Sequence, residues 1–473
     1  MKISTNNPKT AFVIFLLLVA HLFAFNVLFT DRYPPQKAIV FTGTWMKEPY
    51  TGHWLDYVKL YFSNLSDEAN FYEWSTLVLG KNFEPGYPIE EREGSLAYKY
   101  RPLLPTHTYL PYRDISFEYP PFLIFPILIP RLLANNYLEY CRYLAALLSA
   151  VYLGVLFISY KIWEQIPESS KIPFQKLLFY SLLTVLFLGQ LFVTRLDIIP
   201  SFICLLSIYS FIKNRWYQAA LWICLGFFTK GYTILLAPLF GIILLKEKKY
   251  KALIVCCVGI ILFLLSSNLL LGKITQGHYF DSFKFHAIRG LQIESTYSSI
   301  WMLLSPVCGE RIFCYSAHNC ANLGSAHVQW ILNLIKIIQP LFLLCFYFYV
   351  TKKIFRHSKL SPSDRNLILV ESSCLLVFLF ILTFKVFSAQ FIIWLIPLLF
   401  LMPFAKQSCL MILFFISLLI TQFLFPNFYW MLGDTLHPVG MGLLIIRNFI
   451  FILLFVELLR YSKLKSLGSS AIA

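Results

Sequence analysis

The sequence predicts an all-α polytopic membrane protein, a bundle of about twelve transmembrane helices with a large first extracytoplasmic loop. Three observations carry that expectation. Hydrophobic residues fill 58% of the 473 positions and charged residues only 14%, and the mean hydropathy of +0.66 is far from that of a soluble domain. Short loops rich in Lys and Arg separate the apolar runs, so the net charge of +16 reads as positive-inside topology rather than as affinity for nucleic acid. The third observation is a polar, aromatic and proline-rich island, residues 66–131, placed after the first apolar run.

Lys2 and Lys9 precede the run 11–30, which is long for a signal core and has no small-x-small cleavage site after it. It is expected to be an uncleaved first helix with a cytoplasmic N-terminus. Residues 31–137 then form the outer loop, which holds a large share of the charge, including Asp56, Asp67, Arg113, Asp114 and Glu118. Within it, residues 119–134 carry Pro120, Pro121, Pro126 and Pro130. That segment is too short and too often broken to cross, and is expected to lie at the outer interface.

Residues 138–271 supply helices two to seven. The segment 138–160 runs inward and delivers Lys161, Lys171 and Lys176 to the cytoplasm. As one helix, residues 177–211 would be roughly 53 Å long against a hydrocarbon core of some 30 Å. They must fold back, and Thr194-Arg195-Leu196-Asp197 is the polar point at which to turn. Residues 218–245 have basic loops at both ends, so two short helices meeting near Lys230 are expected.

The second outer segment, 272–327, contains Cys308, Cys314 and Cys320, whose spacing suggests one disulfide and a spare thiol with the pairing undecided. Zinc is disfavoured because no Cys-x-x-Cys accompanies them. Residues 328–459 supply helices eight to twelve, turning on the outer side at Lys385-Val386-Phe387-Ser388-Ala389-Gln390, and the tail 460–473 ends in the cytoplasm. The whole chain 1–473 reads as one integral-membrane domain of the cell's inner or plasma membrane.

On this topology Asp67, Arg113, Asp114, Glu118, Arg195, Asp197, Lys230, Arg289, Glu294 and Lys385 all fall on the outer face. An ionised group at membrane depth costs roughly 2.5–3.5 kcal/mol on insertion scales, so such residues face water or a partner. Carboxylates in the first loop and cations at later helix ends suit a reaction in which a hydroxyl loses its proton and a phosphate leaves. Plainer roles stand beside this one. Arg113, Asp114 and Glu118 can pair among themselves, Arg195 and Asp197 can bridge helices, Arg289 with Glu294 can be a loop ion pair, and Lys230 can reach the headgroups.

The motifs Ser66-Asp67, Tyr72, Trp74 and Gly80, then Pro111-Tyr112-Arg113-Asp114 and Glu118-Tyr119-Pro120-Pro121, resemble the first outer loop of GT-C glycosyltransferases. Thr194-Arg195-Leu196-Asp197, Phe228-Thr229-Lys230-Gly231-Tyr232, Arg289-Gly290-Leu291-Gln292-Ile293-Glu294-Ser295, and Lys385 to Gln390 with Trp394 narrow the resemblance. It is nearest to glycosyltransferase family 87, the bacterial polyprenyl-phosphate-mannose-dependent mannosyltransferases. It implies inverting transfer of a hexose, mannose favoured, from a polyprenyl-phosphate donor to a glycan or glycolipid acceptor on the outer face. Asp67 would be the general base, and Arg289, Lys230 and Arg195 would hold the departing phosphate. Arg113, Asp114, Glu118, Tyr119, Asp197, Glu294, Lys385 and Gln390 would line the substrate site. Residues 84–110 look inserted relative to the family, and Asp67 stands one residue further from its tyrosine, which leaves Asp56 and Asp114 open as the base. No cofactor or metal site is expected, and a divalent cation stays open. Two alternatives are a lipid-linked glycan polymerase or ligase, and a transporter or flippase. The first would place its largest polar loop late in the chain, and the second predicts repeated halves and charged residues at mid-span, neither of which is evident.

Overall fold

The structure, a computed structural model, describes residues 15, 66–83, 108–115, 117–168, 171, 173–317, 320–356, 361–402, 408–433 and 435–468. The expected first span (Phe15 apart), Asp56 and most of residues 84–110 lie outside them. The described residues are mostly helical. In chain order come α1 (Ser66–Val78), α2 (Ile124–Leu133), α3 (Tyr137–Trp163), α4 (Phe174–Thr194), α5 (Ile198–Ile212), α6 (Trp216–Lys230), α7 (Leu236–Lys246), α8 (Tyr250–Ile274), α9 (Asp281–Ile288) and α10 (Thr296–Leu304). A hairpin, β1 (Phe313–Ala317) and β2 (Cys320–Gly324), precedes α11 (Val328–Arg356), α12 (Pro362–Thr383), α13 (Ile392–Phe400), α14 (Ser408–Gln422), α15 (Trp430–Gly433) and α16 (Pro438–Gly468).

Six helices among the described residues are long and apolar enough to cross a membrane: Tyr137–Trp163, Tyr250–Ile274, Val328–Arg356, Pro362–Thr383, Ser408–Phe425 and Pro438–Ser462. Shorter apolar helices, such as Phe174–Leu188, Ile198–Ile212 and Tyr232–Lys246, stand between them. The chain is therefore a multi-pass membrane protein. Where polar residues interrupt the long apolar runs, the helices break: at Arg195–Asp197 between α4 and α5, and at Lys230 and Gly231 between α6 and α7. Gly231 closes α6 with φ +77°, a backbone that an L side chain resists. Starting α12, the Ser361 hydroxyl accepts from Asp364 N–H at 3.1 Å, and Pro362 occupies the first helical position.

The chain forms two compact units. One comprises Met1–Leu153, Leu188–Ile199 and Leu265–Ile288. Its described core begins with α1, which buries Phe71, Tyr72, Trp74 and Leu77 together with Glu68 and Glu73. Arg131, 2% exposed, fastens α2 to that helix: Nε donates to Thr76 Oγ1 at 2.8 Å, Nη2 to Asn82 O at 2.9 Å, and the guanidinium lies 5.0 Å from the Tyr72 ring. Lys81 Nζ donates to Arg131 O at 2.7 Å. The opposite face of α2 exposes Phe125, Leu132 and Leu133, an arrangement suited to an interfacial helix.

The other unit comprises Gly154–Phe187, Pro200–Leu264 and Arg289–Ala473. Its centre is α12, buried along nearly its whole length, with α13 buried throughout. At one end of α12, Arg365 donates to Glu247 (3.1 Å), Asn214 (2.8 Å) and Ile212 O (3.1 Å), and Lys353 donates to Glu371 (2.9 Å) and Ser462 (2.6 Å). A second apolar cluster, including Leu291, Ile293, Leu323, Ile331, Leu432 and Leu444, lies under the hairpin.

Two expectations are corrected here. The second outer segment is not loop alone: residues 313–324 pair as an antiparallel hairpin, with Cys314 opposite Leu323 and Cys320 opposite Ala317. That register turns Cys314 and Cys320 to opposite faces. Cys308, Cys314 and Cys320 are all free thiols, so no disulfide joins this segment.

Candidate anion-binding site

The expected site residues divide between the units. Asp67, Arg113, Asp114, Glu118, Tyr119, Arg195 and Asp197 belong to the first, and Lys230, Arg289, Glu294, Lys385 and Gln390 to the second.

In the first unit Asp67 is the second residue of α1, so its backbone stands at a helix N-terminus. Its side chain lies outside the described part. Arg113 and Asp114 pair with each other at 2.8 Å, and the Asp114 carboxylate also accepts from Leu110 N–H at 2.9 Å. These bonds, the Arg113 one foremost, hold Asp114 below the usual carboxylate range, which fits a turn clasp better than a proton acceptor. Tyr112, at φ +70°, donates its hydroxyl to Tyr119 O. The Tyr119 ring packs on Phe71 at 5.5 Å and Trp74 at 6.1 Å, so this motif tyrosine is an element of packing. Glu118 is half-buried, and Arg195 and Asp197 are buried at the α4–α5 break.

In the second unit three motifs distant in sequence meet along residues 385–394. This linker is extended on leaving α12 at Phe384 and again at Ser388. Residues 289–295 bind it edge to edge. Gln292 N–H donates to Lys385 O at 3.1 Å, Phe387 N–H donates to the Gln292 amide oxygen at 2.6 Å, and Gln292 Nε2 reaches Ser388 Oγ and Glu294 Oε1, both at 3.1 Å. On its other side the same segment acts as a short third strand of the hairpin, with Ile293 N–H to Ala321 O at 3.0 Å and Leu323 N–H to Leu291 O at 2.8 Å. The glycine at 290 admits the hairpin closely: a Cβ there would lie 2.5 Å from Tyr315 Oη and 3.0 Å from Asn322 Oδ1.

This fastening brings Lys385 onto Arg289: Lys385 Nζ donates to Arg289 O at 2.6 Å. Burial lowers the Lys385 pKa, and the positive charges of Lys336 and Arg289 lower it further. Lys336, Arg289 and Lys385 are thus close enough to act on one another, and the last two are half-buried; cations gathered in this way are the kind of group that holds a phosphate. The Cys320 thiol beside them is pushed up to about 12 by burial, although Arg289 and Lys385 favour its thiolate.

The third motif joins through aromatic stacking. Tyr232, two residues past Lys230, stacks on Trp394 at 4.4 Å, and Trp394 stacks on Phe391 at 4.1 Å. The half-buried Lys230 and Gln390 flank this stack.

Glu294 departs from the expected roles. It is 4% exposed and pairs not with Arg289 but with Arg447, whose Nη1 donates to Oε2 at 3.2 Å. Burial raises the Glu294 pKa, while Arg447, Tyr429 and the Ala389 N–H oppose the rise. Its carboxylate therefore fastens the loop instead of facing a ligand. Arg447 also corrects the expectation of no charge at mid-span, since it lies within Pro438–Ser462 and is fully buried. An arginine followed by asparagine inside an apolar run was the signal for it. Gln292 and Ser388, also missed, carried no local sign. No metal-binding group of His, Cys, Asp and Glu occurs among the described residues. No protein-family model, curated protein or solved structure matches the chain.

Proposed function

We propose that the chain is an inverting membrane glycosyltransferase that moves a hexose, mannose favoured, from a polyprenyl-phosphate donor to a glycan or glycolipid acceptor. The observation that carries the reading is the joining of Arg289 and Lys385, from two motifs nearly a hundred residues apart, with Lys336 beside them. Such a group stabilises the negative charge that develops on a departing phosphate. The resemblance names Asp67 as the base. In such a transfer the base takes the proton of the acceptor hydroxyl, the hydroxyl oxygen bonds to the anomeric carbon, and the bond from that carbon to the phosphate oxygen breaks, the electron pair leaving with the polyprenyl phosphate. The transporter reading draws on Arg447 within an apolar helix, and its product would be intact donor.

The test is release of label from radiolabelled polyprenyl-phosphate mannose by the purified full chain in lipid, with crude lipid extract as the acceptor source. Asp67→Asn is expected to abolish release and keep donor binding, whereas Lys385→Met weakens binding. Recovery of uncleaved donor on the far side of vesicles would favour transport, and wild type that neither binds nor cleaves the donor would overturn the proposal.

A further inference from the structure

Two turns of the second unit are built alike. After α5 the Arg215 N–H donates to Ser210 O, and after α7 the Lys249 N–H donates to Leu244 O, each at 2.9 Å. Between these bonds stand Asn214 and Lys248, both left-handed at φ +58°. Glycine or asparagine is the ordinary occupant of that helix-ending position, because a longer side chain is strained there. Asn214 fits the rule. Lys248 is kept against it, so turn formation does not account for a lysine at this place.

Arg365, near the start of α12, draws the two turns together: its Nη1 donates to Asn214 Oδ1 at 2.8 Å and to Glu247 Oε1 at 3.1 Å. A second contact joins them where Lys249 Nζ lies 5.7 Å from the ring of Trp216, the first residue of α6. Glu247 is the one acid in residues 213–217 and 246–251, and Arg365 takes it. Lys213, Arg215, Lys248, Lys249 and Lys251 are all exposed, and none of the five forms an ion pair among the described residues. Cations gathered on one surface with their only acid engaged elsewhere call for an anion from outside.

The neighbouring helix face says what kind of anion. Helical spacing places Lys251, Ile254, Val258 and Ile261 along one side of α8. The three apolar members are 61%, 48% and 56% exposed, and α8, a candidate membrane span, is scarcely buried within the structure. Tyr217 and Tyr250, exposed beside the cations, are of the residue type that sits at the membrane–water interface. Cations, then tyrosine hydroxyls, then an apolar stripe follow the order of phosphate, ester and acyl chain in a phospholipid.

We propose that these two turns and the adjoining face of α8 bind an anionic phospholipid, its phosphate among the five cations and an acyl chain along Ile254, Val258 and Ile261. Arg365 lies near the start of α12 and Lys385 follows its end, so this surface stands roughly 30 Å along that helix from the proposed transfer site. It goes beyond the transferase reading and holds without it.

The experiment is native mass spectrometry of the purified full chain titrated with dioleoyl phosphatidylglycerol, with dioleoyl phosphatidylcholine as the zwitterionic control of equal chain length. Wild type is expected to prefer the anionic lipid by about tenfold or more. A cation near an anionic lipid surface is worth about fivefold in affinity. Lys248→Gly is accordingly expected to bind phosphatidylglycerol about threefold to fivefold more weakly, while its thermal unfolding midpoint stays level or rises because glycine suits the left-handed turn. Weaker binding with undiminished stability is a result that a packing role for Lys248 does not give. Lys213→Gln, Arg215→Gln, Lys249→Gln and Lys251→Gln together should bring the two lipids within about twofold of each other. Lys273→Gln with Arg311→Gln, exposed cations outside the turns, should leave the preference within about twofold of wild type. Should the fourfold variant not fold, Lys248→Gly beside that control decides.

Wild type without a preference overturns the proposal, as does a preference that persists in both Lys248→Gly and the fourfold variant. Equal loss in the control pair would assign the effect to overall charge, and the site would fall. A preference abolished by excess glycerol 3-phosphate would give the cations to a soluble phosphate and overturn the lipid. A dimer that the fourfold variant breaks, with no lipid retained by wild type, would give the face to a second copy of the chain.

Discussion

Gly290→Ala tests whether the loop 289–295 is held as tightly as its bonds imply. A Cβ at this position would stand 2.5 Å from Tyr315 Oη, 3.0 Å from Asn322 Oδ1 and 3.1 Å from Asn322 Cγ. The two neighbours differ in freedom. Tyr315 is 37% exposed, and its hydroxyl is the far end of a side chain that can swing. Asn322 is fully buried, with its amide committed to Ala317 O at 3.1 Å and Cys320 O at 2.8 Å, so it does not yield. Overpacking of this kind costs about 1–3 kcal/mol, and a shift near 1 Å in a positioned catalytic group costs up to about a hundredfold in rate. Gly290→Ala is therefore expected to destabilise the protein by about 1–3 kcal/mol and to weaken phosphate binding through the neighbouring Arg289. Tyr315→Phe removes the nearer oxygen. Combined with Gly290→Ala it should restore less than half of the lost stability, the larger remainder belonging to the unyielding Asn322. Denaturation followed by tryptophan fluorescence in lipid, beside farnesyl phosphate titration, measures both effects. Unchanged stability in Gly290→Ala, or a double variant weaker than the single one, would refute the argument that this glycine permits the approach of loop and hairpin.

Three further outcomes are expected. Trp394→Ala, which removes the ring between Tyr232 and Phe391, should cost about 3–5 kcal/mol, with Trp394→Phe much milder; thermal unfolding in lipid checks both. Asp114→Asn should leave sugar transfer intact and alter the pH dependence of stability. Because the folded carboxyl is held below its ordinary value, the Arg113 pair contributes above that ordinary value, and its contribution is lost as pH falls through the depressed one. The difference between wild type and variant in unfolding midpoint should vanish at the acid end, and a difference that grows there would refute the pairing. For the thiols, maleimide mass-tagging of denatured protein should count Cys308, Cys314 and Cys320 as free with or without reductant, and in the native state the exposed Cys308 should label first. A reductant-dependent rise by two tags would restore the disulfide.

How much of this could be read from the sequence depended on the range of the interaction. The helix breaks at Arg195–Asp197 and at Lys230 were legible because they follow from local arithmetic, a run too long for the bilayer interrupted at one polar point. The hairpin was not. Its strands are five residues each, and the cysteines within them drew attention to their spacing instead of to the alternation around them. Arg447 was legible as an anomaly, but its partner Glu294 lies 153 residues away and nothing local announces the pairing. The same distance hid Gln292, whose amide meets Ser388 and Phe387 across 96 and 95 residues.

The seven residues from Arg289 to Ser295 show why such a motif is a poor guide to which of its members meets a ligand. A strand alternates its side chains, and this segment does so over its middle. Leu291 and Ile293 are both fully buried in the apolar cluster under the hairpin. Of the residues between and beside them, Gly290 admits Tyr315, Gln292 ties down the linker, and Glu294 takes Arg447. Ser295 caps α10, accepting from Ser298 N–H at 3.1 Å. Six of the seven positions thus take part in fastening or packing. Under the proposed function, substituting any of them would lower activity through the placement of Arg289. Arg289 is the member whose charge the fold directs toward Lys385 and Lys336, and a binding assay with a phosphate probe separates it from the rest where an activity assay would not.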